Sequence, residues 1–370
     1  MAPSASTAPS SSTVSPLAVP SAEQSPAASG SPQVLCFGEA LLDRLGTPGQ
    51  DPAAGGEDRL GGAPANVACA LARLGTPAAF LGRLGEDRIG RAFGALFQER
   101  GVDISGLQWD PRRPSRTVLV RRDASGERSF DSFAAEGAAD LGTGFADQGV
   151  ALEPLLVALP PLLGGARWLV VGSLCLASPT SAEALEGLLP PCASAGLGLA
   201  VDVNWRPVFW GLAPDCPPPP AARAAIGALL ERADLVKFAR EEADGLFAPG
   251  ADPAAIARAL PRHPAVLITD GPRPLRWWWA GQEGEQEALA VPVVDTTGAG
   301  DAFMAGLLHR LCAGPAGDGA LLPVPSQLAA AVRFASACGA LTCTAAGAID
   351  AQPTAAAVDH LLQESAGCLL

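Results

Sequence analysis

The chain reads as an α/β protein with a mostly parallel central sheet, and three observations carry that reading. Short apolar runs alternate with helix-forming segments from Val34 onward, as strands buried on both faces of a parallel sheet would. A glycine-rich turn at Asp295–Asp301 passes straight into an Ala/Leu/Met-rich helix. One pair of strand-like segments joined by a turn breaks the alternation, and so is expected outside the main sheet.

In chain order, Val34–Gly38 reads as a strand, Pro64–Leu74 as a helix, Ala79–Leu84 as a strand and Ile89–Glu99 as a helix. Ser115–Arg122 and Glu127–Phe133 flank Asp123-Ala124-Ser125-Gly126, whose residues tolerate left-handed backbone, and read as a hairpin flap. Trp168–Gly172, Gly198–Val203, Leu235–Phe238, Ala265–Thr269 and Leu289–Val294 read as further strands. Ligands of such a sheet gather at the carboxyl ends of its strands. Met1–Pro32 is almost wholly Ser, Pro and Ala, the composition of a disordered tail. The folded domain is expected over residues 33–355, with a lid from about 44–60 and 115–134, and residues 356–370 as a C-terminal helix or tail.

Composition narrows the chemistry. A formal charge of −13 and a pI near 4.7 argue against nucleic acid and anionic membranes as partners. Lys237 is the only lysine. That excludes a GxxxxGK phosphate loop and leaves one residue for Schiff-base chemistry. The nine cysteines form no CxxC pair, so buried free thiols in a reducing compartment are expected. The three histidines have no nucleophile motif beside them. The tail lacks the basic residues of a targeting peptide, and no run is a convincing membrane span. A soluble, cytoplasmic enzyme is the expectation.

The chemistry gathers at strand ends. A glycine turn opening a helix aligns unpaired N–H groups at the positive end of the helix dipole, which suits an anion. Asp301 falls in the first helical turn, as a carboxylate able to accept a proton. Gly61-Gly62-Ala63-Pro64-Ala65-Asn66 opens another helix, and Glu39 and Asp43 follow the first strand. Asp202-Val203-Asn204-Trp205-Arg206 ends a strand and offers a guanidinium for a phosphate or an anionic group. Lys237–Gly245 carries Glu241 and Glu242, which could hold Mg²⁺ through water. Thr269-Asp270-Gly271 closes another strand and is plausible against a nucleotide. Each of these also has a plain structural use as a cap, a turn or a helix surface.

Gly61–Ala68 together with Asp295–Asp301 resembles the paired signatures of the PfkB, or ribokinase-like, sugar kinases, and the first leans toward fructokinases. The likeness runs from about Val34 to about Pro353 and includes Phe334–Leu341 and Gly347–Ile349. It implies a three-layer α/β/α fold with a mostly parallel sheet and a small β lid. It implies Asp301 as the base, with the amides of Gly298, Ala299 and Gly300 as the phosphoryl anion hole. Asp43, Gly62 and Asn66 would hold the sugar, with Arg206 available on that side, and Lys237, Thr269, Gly271 and Ser336 would border ATP. Glu242 would serve Mg²⁺, while Asp295, Thr297 and Gly347 fall where relatives bind K⁺ or another monovalent cation. Relatives often pair through lid strands, and an exposed hairpin edge makes a homodimer through the lid physically reasonable, with the oligomeric state left open by the sequence.

Two departures qualify the likeness. The family's Asn-x-x-Glu motif appears here as Ala239-Arg240-Glu241-Glu242, without its asparagine. Ala134-Ala135 stands near where 2-keto-3-deoxygluconate kinases and many fructokinases carry Tyr-Arg, which favours a neutral sugar. The implied activity is fructokinase, using ATP and Mg²⁺. The alternatives are a kinase for 2-keto-3-deoxygluconate, ribose or a nucleoside, and a catalytically inactive fructokinase-like interaction protein. A dinucleotide-dependent oxidoreductase would need GxGxxG after the first strand, where Gly38-Glu39-Ala40 stands instead.

Overall fold

The computed structural model describes residues 30–47, 49–122, 128–135, 144–313 and 325–367. Most of the expected tail, through residue 29, and the hairpin turn Asp123–Gly126 lie outside the described residues.

The chain begins with β1 (Val34–Phe37), β2 (Leu41–Leu45), β3 (Glu57–Gly61), α1 (Ala63–Leu74), β4 (Ala78–Gly85), α2 (Arg88–Arg100) and β5 (Leu107–Asp110). β6 (Thr117–Arg122) and β7 (Arg128–Ala134) follow, then α3 (Leu152–Leu163), β8 (Trp168–Gly172), α4 (Pro179–Ser194), β9 (Gly198–Asp202) and α5 (Pro220–Leu230). Next come β10 (Leu235–Ala239), α6 (Arg240–Leu246), α7 (Pro253–Ala259), β11 (Ala265–Asp270), β12 (Arg273–Trp279) and β13 (Gln282–Gln286). The last helices are α8 (Ala299–Cys312), α9 (Pro325–Thr342) and α10 (Ala355–Gly367).

Nine strands form the main sheet in the order β13-β12-β11-β10-β9-β8-β1-β4-β5. The pairs from β11 across to β5 run parallel, while β11–β12 and β12–β13 are antiparallel. Alternation along each strand divides the core. Val34 and Cys36 join α1, α2, α8 and α9 on one face; Leu35 and Phe37 join α3, α4, α5 and α7 on the other. That is the expected α/β/α arrangement. α1 is buried at every residue except Arg73, which its Ala/Val/Leu/Cys composition permits. Chain order reverses between β1 and β8, the place where open α/β sheets bind ligands.

The flap is real and larger than the hairpin. β3-β2-β6-β7 make a separate four-stranded sheet in which β2 runs parallel to β6. Leu41, Leu45, Val118 and Val120 form its small core, against Phe133 and Phe209.

The expected strand over Leu289–Val294 does not form. Pro292 has no N–H for a ladder, Val293 and Val294 are each 65% exposed, and the amides of Val294 and Asp295 turn to the Cys343 carbonyl at 2.8 and 3.2 Å. Among the described residues the cysteines are free; six are buried, and burial lifts the Cys69 thiol to about 12.

Candidate active site

Two helix starts face each other across the strand ends. The turn before α8 is locked by Asp295. Its Oδ1 accepts from Thr297 N and Oγ1 at 2.9 and 2.7 Å, and its Oδ2 from Gly347 N at 3.0 Å. Gly298 precedes α8 at φ 77°, and a Cβ there would lie 2.6 Å from the Ala348 Cβ, so this turn needs glycine. The first N–H groups of α8 have no partner within the helix. That of Ala299 turns back to the Thr296 carbonyl at 3.3 Å. Of the expected trio Gly298, Ala299 and Gly300, Ala299 thus has its amide engaged within the turn.

Asp301 meets the other helix start. Asn66 Nδ2 donates to Asp301 Oδ2 at 2.7 Å, across 235 positions of sequence. Asn66 Oδ1 is buried with no partner among the described residues, an acceptor without a donor. Burial lifts the Asp301 carboxyl above its ordinary value, opposed by the Asn66 bond and by the positive charges of Lys237 and Arg206. The result is a buried carboxyl held between an amide donor and two cationic side chains.

The opposite wall is a cluster of charge. Lys237 Nζ donates to both oxygens of Asp202 at 2.9 and 3.0 Å, and both residues are buried. A Cβ on Gly300 would lie 2.7 Å from that nitrogen, so the ammonium sits against the first turn of α8. Arg206 donates to the Trp205 carbonyl at 2.8 Å and stands 3.9 Å from Glu242. The two oxygens of Glu242 accept from Trp205 N and Ala239 N, each at 2.8 Å. Its carboxylate thus braces two strand ends. No group of three or more His, Cys, Asp or Glu forms a ready metal cage among the described residues.

The other expected residues stand on neighbouring elements. Asp43 stands on lid strand β2, where its Oδ2 lies 2.7 Å from the position of a Cβ on Gly61. Gly62 precedes α1 and packs against the backbone of Glu39 and Ala40. Thr269 donates to the Phe238 carbonyl at 3.2 Å, Gly271 follows in open space at φ 56°, and Ser336 donates back along α9 to Val332 at 3.0 Å. No hydrogen bond ties these three to the Asp301 cluster among the described residues.

Two features escaped the sequence. Gln352 Nε2 donates to the Asn66 carbonyl at 2.8 Å, bracing α1 from the C-terminal segment. Arg116 pairs with Asp147 at 2.9 Å, and its guanidinium lies 4.4–4.7 Å from the centres of the Phe133, Phe145 and Phe209 rings, joining lid to body. Neither has a motif, because each partner comes from a distant part of the chain.

Glu39, the first of the two carboxylates after β1, is 4% exposed and accepts from Ala63 N at 3.1 Å. Burial, aided by the charges of Asp147 and Asp301, lifts its carboxyl from 4.5 to about 8. The folded state therefore holds this proton more tightly than the unfolded chain. The contribution is fully present below about pH 4.5 and is lost as pH rises through about 8. The thermal midpoint should fall between pH 5 and pH 9, about as far as this group's titration reaches, and Glu39→Gln should flatten the fall. A wild-type slope retained in that variant would assign the pH dependence to other groups.

Residues 31–355 match the model of the pfkB family of carbohydrate kinases. The chain belongs to that family. Probable fructokinase-6, chloroplastic, of Arabidopsis thaliana is 34% identical over 90% of this chain and 83% of its own length. A fructokinase of Xylella fastidiosa solved with bound ATP superposes with a TM-score of 0.77 at 31% identity, over 90% of this chain and 99% of that one. A fructokinase of Vibrio cholerae O395, solved in its fructose, ADP and calcium ion bound form, gives 0.74 at 30% identity, over 90% and 99%. This pfkB protein has the ribokinase-like three-layer fold, and it is an ATP-dependent kinase of a sugar hydroxyl. Among its described residues no helix is long and apolar enough to cross a membrane.

Proposed function

We propose that this kinase is a fructokinase, moving the terminal phosphoryl group of ATP to the primary 6-hydroxyl of D-fructose to give D-fructose 6-phosphate and ADP. The observation that carries the reading is the 2.7 Å bond between Asn66 and Asp301, which joins the glycine-rich sugar-side helix to the anion-binding turn. Likeness to fructokinases over most of the chain supports the choice of sugar. Ala134-Ala135, in place of Tyr-Arg, supports a neutral sugar over an acidic one.

In this reading Asp301 takes the proton as the hydroxyl oxygen bonds to phosphorus and the bond to the departing ADP oxygen breaks. The Gly300 and Asp301 amides and the Lys237 ammonium stabilise charge on the transferring group. Asn66 Oδ1 and Asp43 hold sugar hydroxyls, with Gly62 allowing close approach and Arg206 flanking the site. Thr269, Gly271 and Ser336 border the nucleotide. Mg²⁺ would neutralise phosphate charge, and Glu242 would hold it through water, since both carboxylate oxygens already accept backbone N–H groups. The carboxylate at Asp295 is likewise engaged by Thr297 and Gly347, so a monovalent cation beside this turn would rest on backbone carbonyls.

The test is a panel of fructose, glucose, mannose, ribose, 2-keto-3-deoxygluconate and adenosine, read by coupled ADP release. Fructose should lead in kcat/KM by about tenfold or more, a margin of about 1.4 kcal/mol in transition-state binding. Preference for ribose or the keto-acid would replace the sugar assignment. No turnover on any of them would place the acceptor sugar outside this panel and remove the fructose assignment.

A further inference from the structure

We infer that Glu39 is a positioning residue of the sugar-side helix: from the end of β1 it supplies the cap that α1 lacks, and so sets the depth at which Asn66 meets Asp301. The inference rests on the sugar-kinase reading for its catalytic consequence and on geometry for its cause.

A helix start exposes N–H groups with no partner behind them, and a polar side chain at the residue before the helix normally answers one of them. Here that residue is Gly62, at φ 102°, with no side chain to offer. Nor is there room for one, because a Cβ would lie 2.7 Å from the Glu39 carbonyl oxygen and 3.0 Å from the Ala40 Cα. The same packing brings the Glu39 carboxyl within reach, and its Oε1 accepts from Ala63 N at 3.1 Å. The cap therefore comes from another element, 24 residues upstream.

The consequence lies on the same helix face. Asn66 follows Ala63 by three residues, nearly one turn, so the two share a face of α1. Asn66 N donates to the Gly62 carbonyl at 2.8 Å, closing the first turn, and Gln352 holds the Asn66 carbonyl from the other side. A shift at Ala63 thus passes along a stiff turn to the Asn66 amide. Glu39 also lines a cavity of about 10 Å³ with Gly38, Arg116, Asp147, Ser178 and Phe209, room for about one water. Truncating Glu39 would enlarge that space.

The test compares Glu39→Ala with Glu39→Gln, whose amide oxygen keeps the acceptor. Glu39→Ala should raise the KM for the sugar about tenfold while the KM for ATP stays within about twofold, the scale of one buried donor left unpaired. Amide hydrogen exchange over residues 61–67 should quicken in the same variant. Glu39→Gln should restore most of both. Should Glu39→Ala fail to fold, Glu39→Asp, one methylene short of Ala63 N, carries the same comparison. The inference is overturned if Glu39→Gln is as impaired as Glu39→Ala, if both KM values move together, or if exchange at residues 61–67 is unchanged. If the wild-type protein phosphorylates no sugar, the functional reading falls by itself, and the exchange comparison still decides whether Glu39 caps α1.

Discussion

Asp301→Asn should lower kcat by about 10²–10⁴-fold, the usual worth of a positioned general base, while leaving ATP binding and the thermal midpoint near wild type. Asparagine keeps the shape of the side chain and an oxygen for the Asn66 Nδ2 contact, now 2.7 Å from Asp301 Oδ2. What it loses is proton affinity. Burial lifts the carboxyl, opposed by the Asn66 bond and the Lys237 and Arg206 charges, and in the proposed mechanism it is the group that takes the hydroxyl proton. The helix start at Gly300 is untouched, so the anion cradle and a residual rate should survive. Coupled ADP release gives the rate, and calorimetric titration with ATP shows whether the nucleotide site is intact. Substantial turnover in the variant would remove Asp301 from the proton transfer.

The legible parts of the chain are those whose environment repeats along the sequence. β1, β4, β8, β9, β10 and β11 are covered by helices on both faces, so they read as continuous apolar runs. β12 and β13 did not, because Arg273–Trp279 alternates half-buried and buried residues after an exposed start and Gln282–Gln286 is almost wholly polar. The reverse error came at Leu289–Val294. Apolar content suggested a strand, but Pro292 and the bonds to Cys343 keep the segment out of the sheet. At the site, the two glycine-rich helix starts were readable because each needs a local pattern. The position of Glu39 was not, since its role exists only once β1 and α1 pack backbone to backbone. Lys237 was ambiguous for a related reason: a lone lysine at a strand end can serve a nucleotide or a buried carboxylate, and only the fold brings Asp202 to it.

Lys237→Met should cost about 3–5 kcal/mol of stability, the range for removing one partner of a buried ion pair, and should also slow the reaction. Lys237 is 6% exposed and Asp202 4%, and the ammonium bonds both carboxylate oxygens. Burial disfavours the charged lysine, but the charges of Asp202, Glu242 and Asp301 outweigh it and hold its pKa above the ordinary value. Methionine fills much the same volume and leaves Asp202 buried without its hydrogen-bonded counter-ion, with only the more distant Arg206 charge acting on it. A loss of that size is a large share of the roughly 5–15 kcal/mol that holds a typical domain folded, so denaturant midpoints should fall clearly. Stability and chemistry separate in the double variant Asp202→Leu with Lys237→Met. An apolar pair of similar volume often restores the stability of a buried ion pair, so the midpoint should recover. The rate should not recover, because no ammonium then stands against Gly300, where a Cβ would come within 2.7 Å of the present nitrogen. Loss of one preorganised charge at a transferring phosphoryl group is expected to cost about 10²–10³ in kcat. A double variant that is both stable and fully active would confine Lys237 to a structural role and leave the cradle to the α8 amides alone.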